Sequence, residues 1–158
     1  MDVEIKSVIK TAKGNLLQFK SLVPVMIFFV KGKMTVLAFP FKDDREKDAV
    51  VNFIRTVIDR AKVDYYFFIM EAWIAEAKKD SEYIRPRDNP KRKECIVVSK
   101  FSMRKKDIVV TIPFKRLRNT IIFEKERSLI DNVYSRFNIF KEELSFDEVM
   151  RKSYGIKY

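Results

Sequence analysis

The chain has 158 residues, of which 47% are apolar, and 33 Lys and Arg against 22 Asp and Glu give it a formal charge of +11. This apolar content is enough for a buried core and excludes a disordered chain. No His, a single Cys (Cys95) and only three glycines, Gly14, Gly32 and Gly155, exclude Ser-His-Asp and Cys-His catalysis, His-ligated metals, intrachain disulfides and glycine-rich phosphate loops.

Ile5, Val8, Ile9, Ala12, Leu16 and Phe19 recur at spacings of three and four and predict an amphipathic helix over 3–20. Pro24 follows its end. The most apolar window, 22–41, is split by Lys31, Gly32 and Lys33. Each half is too short to cross a bilayer as a helix, so the window predicts two strands, 25–30 and 34–41. Gly32 supplies the positive φ of the tight turn between them, and Pro40 predicts an edge or exit. Asp43 and Asp44 then offer an N-cap. Val50, Phe53, Ile54, Val57, Ile58 and Ala61 mark the inner face of a helix over 44–62. Residues 65–75 are apolar on both alternating faces, as in a central strand covered on both sides. Pro86 and Pro90 mark 78–93 as a loop. Further strands are predicted at 95–101, 108–114 and 120–123. Leu129, Val133 and Phe137 predict a helix, and a capping box at 145–148 opens a last helix over 146–153. This order predicts a single α+β domain over 1–158, with a mainly antiparallel sheet and helices packed against it. No signal-peptide pattern opens the sequence, so an intracellular, cytoplasmic protein is expected. Abundant Lys with the single Gln18 is compatible with a thermophilic host.

The charge is uneven. Residues 78–118 hold 14 bases against five acids, nine of the eleven net charges. Such a tract attracts polyanions. Arg85, Arg87, Lys91, Arg92, Lys93, Arg104, Lys105 and Lys106 are the expected phosphate contacts, with Tyr83 and Phe101 as stacking candidates. The alternative is a set of solvated turns that keep a meander soluble and block edge pairing. No helix carries a stripe of bases, which argues against a major-groove reader. Successive turns of a meander lie at opposite ends of a sheet. The 85–93 loop and the 115–118 turn are therefore expected at one end, and Arg104, Lys105 and Lys106 at the other.

Glu71 lies inside an apolar strand run, where an ionised carboxylate needs a partner. It is either a general base or metal ligand, or a structural acid bridged to an arginine. A metal site would need more acids; Asp64, Glu76 and Glu94 are the candidates, with no metal-ligand spacing. Cys95 sits in the apolar run 95–98 and reads as a small buried residue. Glu71-Ala72-Trp73, followed by Pro86 and Pro90 and then by Arg92 and Glu94, resembles a family of phage and prokaryotic proteins without an assigned activity. The shared pattern is Glu-Ala-Trp and then Pro-x-x-x-Pro-x-Arg-x-Glu. The resemblance implies a viral or mobile-element origin and groups Glu71, Trp73, Arg92 and Glu94, with Arg92 folding back to pair with Glu71. The element order is loosely similar to deaminase-like and isopeptidase-like metal hydrolases, but their ligand motifs are absent.

The leading expectation is a small non-catalytic accessory protein, without cofactor or metal, that binds DNA or RNA through basic turns and loops in 78–118. The alternative is a protein-interaction or self-assembling module, a homo-oligomer using the aromatics Phe137, Phe140, Phe146, Tyr154 and Tyr158. A more distant one is a carboxylate-dependent hydrolase or nuclease using Glu71.

Overall fold

In the computed structural model, residues 3–76, 84–131, 138 and 140 are described. Helix α1 (Val3–Phe19) turns Ile5, Ile9, Ala12 and Leu16 inward at helical spacing. Phe19 is 63% exposed, because the helix ends there and the predicted stripe drifts off the face. Strands β1 (Val25–Val30) and β2 (Lys33–Ala38) form a hairpin. Its two turn residues, Lys31 (φ 49°) and Gly32 (φ 75°), both take the left-handed conformation of a two-residue turn.

Helix α2 (Asp44–Ala61) is held at its start by reciprocal bonds. The Glu46 amide donates to Asp43 Oδ1 (2.8 Å), and the Lys42 amide donates to Glu46 Oε2 (2.6 Å). Val51, Ile54 and Ile58 are its buried residues. Phe53, predicted to face inward, is half exposed, so the helix is rotated relative to the predicted face.

Strands β3 (Tyr65–Ile74), β4 (Lys93–Ser102), β5 (Asp107–Leu117), β6 (Thr120–Phe123) and β7 (Arg127–Asp131) complete one antiparallel sheet of order β2-β1-β3-β4-β5-β6. A short 3-10 turn at Pro86–Asp88 precedes β4. The fold is α+β and mostly sheet, as expected. One prediction fails: Leu129 belongs to strand β7, and no helix starts there. Residues 127–131 pair with 107–111 of β5, so the open edge of the sheet overrides a helical spacing. The remainder of that predicted helix, and the one at 146–153, lie outside the described residues apart from Asn138 and Phe140.

Strands β6 and β7 occupy the same side of β5 and meet at Pro113. Phe114 pairs with Phe123, and Thr111 with Arg127. Four steps along one side thus match three along the other, which leaves one extra residue, a bulge. The Pro113 carbonyl still accepts from the Glu124 amide (2.8 Å), while its ring has no N–H to offer. The irregularity therefore falls where a ladder bond is missing anyway.

Among the described residues, each face of the sheet carries one helix. Helix α1 covers Phe67, Ile69, Ile96, Val98, Val110, Ile112 and Phe114. Helix α2 covers Met26, Phe28, Tyr66, Phe68 and Phe101. Central strand β3 thus feeds both cores, which accounts for its unbroken apolar run. Each fully buried side chain of this size contributes about 1.5–3 kcal/mol. Cys95 is buried on the α2 side. Its thiol donates to the Ala72 carbonyl (3.4 Å), and burial pushes its pKa up to about 12. Phe140 packs on Tyr66, ring centroids 5.4 Å apart; the other C-terminal aromatics proposed for assembly lie outside the described residues. No helix among the described residues is long and apolar enough to cross a membrane.

Candidate nucleic-acid interface

Strand register sorts the basic residues into two groups. Trp73 and Ile74, at the end of β3, pair with Glu94 and Lys93 at the start of β4, and Glu94 pairs with Phe114 of β5. The 3-10 turn, Lys91, Arg92, Lys93, Lys115, Arg116 and Arg118 therefore share one end of the sheet. Lys20, just past α1, joins them: its ammonium donates to the Asn119 carbonyl (3.2 Å). At the other end Tyr65 pairs with Ser102, and the 103–106 turn carries Arg104, Lys105 and Lys106. The ten residues of β4 separate the two groups by about 30 Å. The eight bases named from sequence do not converge on one surface.

At the first end, much of the charge is already engaged. The Arg116 guanidinium donates through Nε to both carboxylate oxygens of Glu94 (3.0 and 3.1 Å), through Nη2 to Glu71 Oε2 (3.0 Å), and through Nη1 to the Lys20 carbonyl. The Leu22 amide donates to the remaining Glu71 oxygen. This corrects the expected pair: the partner of Glu71 is Arg116, and Arg92 goes elsewhere. Strand alternation places Arg116, two residues beyond buried Phe114, on the same face as Glu71 and Glu94, while Arg92, in the loop just before β4, lies over Trp73 instead. Its guanidinium carbon is 4.5 Å from the Trp73 ring centroid, and its Nη1 donates to the Arg87 carbonyl. Both oxygens of Glu71 thus serve as acceptors within the scaffold, as a structural acid requires. No group of three or more Cys, Asp or Glu side chains among the described residues is arranged to hold a metal ion.

Glu124 takes two more bases, Lys93 (2.8 Å) and Lys115 (3.3 Å). The Lys93 bond chiefly holds its carboxyl below the usual range. Arg87 makes only an exposed 3.7 Å contact with Asp88, worth little in water. Arg85, Lys91 and Arg118 have no ion-pair partner among the described residues. With Arg87 and Arg92, whose charges meet no carboxylate closer than that 3.7 Å contact among the described residues, they form a positive surface.

The second group is built differently. Ser102 Oγ accepts the amides of Arg104 (3.4 Å) and Lys105 (3.1 Å). Buried Asp107 accepts the Ser102 amide (3.1 Å) and the Asn138 side chain (2.9 Å). The turn is therefore fixed, with Lys105 and Lys106 unpaired among the described residues and Arg104 3.8 Å from Asp64.

Of the two proposed stacking residues, Phe101 is only 1% exposed and sits in the α2-side core, so it cannot meet a base. Tyr83 lies outside the described residues. Trp73, not named from sequence as a stacking residue, is 43% exposed amid the first group. Arg116, Glu124 and Lys20 were also missed. Extending the period-2 pattern of 108–114 by two residues brings Arg116 to the inner face, but nothing in the spacing identifies Glu124 or Lys20.

No family model matches the chain, and no curated protein or solved structure matches it either.

Proposed function

We propose that the protein binds nucleic acid through the end of the sheet that carries Arg85, Arg87, Lys91, Arg92 and Arg118. The observation behind this reading is the state of those bases. Neighbouring Arg116, Lys93 and Lys115 are tied down by Glu71, Glu94 and Glu124, while these five keep their charge for solvent or a polyanion. Arg104, Lys105 and Lys106 form a separate, secondary patch.

Binding through five phosphates gives a log–log salt slope of about −3.5 for a single strand, so affinity falls roughly 100-fold between about 50 and 200 mM salt. Fluorescence anisotropy with labelled DNA and RNA measures this slope. Reversing Arg85, Arg87 and Lys91 to Glu abolishes retention, whereas reversing Arg104, Lys105 and Lys106 weakens it far less. No binding to any nucleic acid at low ionic strength refutes the proposal.

A second reading, self-association, is favoured by β2. Among the described residues it is an edge strand, at the β2 end of the sheet order, has exposed Met34 and Val36, and has no charged residue in 34–38. Such an edge pairs readily with another strand. Under this reading the protein sediments as an oligomer and Val36→Lys makes it a monomer.

A further inference from the structure

Building on the nucleic-acid reading, we infer that the basic end takes single strands in preference to duplex, with one base stacked at the Trp73–Arg92 pair. Trp73 is the chain's only tryptophan and is 43% exposed although it sits two residues beyond the half-buried Glu71 on the α1 side of β3. An indole with this much of its surface in water, set among cationic side chains, is open to a planar partner. The Arg92 guanidinium carbon lies 4.5 Å from the ring centroid, and its Nη1 donates to the Arg87 carbonyl. The result is a cationic, aromatic surface among the bases of this end, with exposed Ile84 and Leu117 beside it.

That combination matches a base with its sugar-phosphate: stacking on the planar groups, and phosphates on Arg85, Lys91 and Arg118. Duplex hides base faces inside its stack and offers only edges and backbone. The only helical segment of the 85–93 loop is the three-residue turn Pro86–Asp88, too short to enter a major groove as a recognition helix. A duplex would thus use the charges and leave the indole unused.

The single tryptophan makes the test direct. Its emission is followed while the protein is titrated at low salt with a deoxythymidine oligomer, a uridine oligomer, a duplex of equal length and heparin, a polyanion without bases. The expected result is strong quenching by one or both oligomers and little by heparin at equal occupancy, with the duplex bound more weakly than the single strand. Trp73→Ala is expected to lose roughly 5- to 150-fold in single-strand affinity while keeping its affinity for heparin, and Trp73→Phe to recover part of the loss. Heparin retention and circular dichroism show whether each variant is folded, and the wild-type quenching stands even if Trp73→Ala is not. Oligomers bound without quenching, or duplex bound as tightly as single strand, overturn the inference while leaving nucleic-acid binding intact. If neither nucleic acid is retained at all, the underlying reading fails with it.

Discussion

Glu71→Gln tests the most conspicuous single residue. The substitution keeps the shape and removes the charge from a carboxylate whose two oxygens receive the Leu22 amide and Arg116. Charge-assisted bonds at such a partly buried site are worth about 1.5–3 kcal/mol, so urea denaturation is expected to show a loss of about 1–2 kcal/mol while nucleic-acid binding is retained. A catalytic Glu71 predicts the reverse: unaltered stability and lost turnover. Cys95 makes a second residue-scale prediction. Its thiol keeps its proton in the fold up to about pH 12, against an ordinary value of 9.0. A thiol reagent at pH 8 should therefore label it only as fast as the protein opens. Because the unfolded chain ionises first, stability declines as pH rises from 9.0 towards 12. The need of Glu71 for a partner was legible in the sequence, since a carboxylate in an apolar strand must be compensated. The partner's identity was not, because it lies 45 positions away across two strand pairings that spacing does not encode.

Among the elements, α2 shows the closest agreement between sequence and structure, down to its Asp43 cap. Asp43→Ala removes the acceptor of the Glu46 amide and is expected to cost about 1 kcal/mol, read as a lower melting temperature. The inner face was misjudged at Phe53 and Val51 because a wide apolar stripe leaves helix rotation to be set by what it packs on. Strand β7 illustrates the opposite failure: the Leu129-Val133-Phe137 spacing is helical, but β5 offered a free edge. At the basic end, Glu124 restrains two strand-end lysines at once. Glu124→Gln is therefore expected to strengthen nucleic-acid binding and to steepen the salt slope by about 1–2 as Lys93 and Lys115 become available. Anisotropy titrations at several salt concentrations measure this. An unchanged slope would mean that those lysines lie off the binding surface.

Across the whole molecule, the described turns and loops of the charge tract, within 84–118, resolve into two ends of one sheet. The alternation of meander turns made that separation readable in advance, whereas the sorting of tethered from untethered bases depends on contacts far apart in the chain. The same long reach shapes how the protein comes together. Helix α1 is fastened at its start by Glu4, which takes Lys100 (2.7 Å) and the Tyr65 hydroxyl (3.1 Å), and past its end by the Lys20 contacts with Arg116 and Asn119. The α1 segment therefore waits almost 100 residues of synthesis for the strands it must cover. Until then its apolar stripe has no native surface to bury, and an isolated helix of this length is marginal in water. Such non-local closure favours slow folding, on the order of milliseconds to seconds. Pulse-labelled hydrogen exchange during refolding is expected to find the β3–β4 amides protected before those of α1, which makes the first helix in sequence among the last in time.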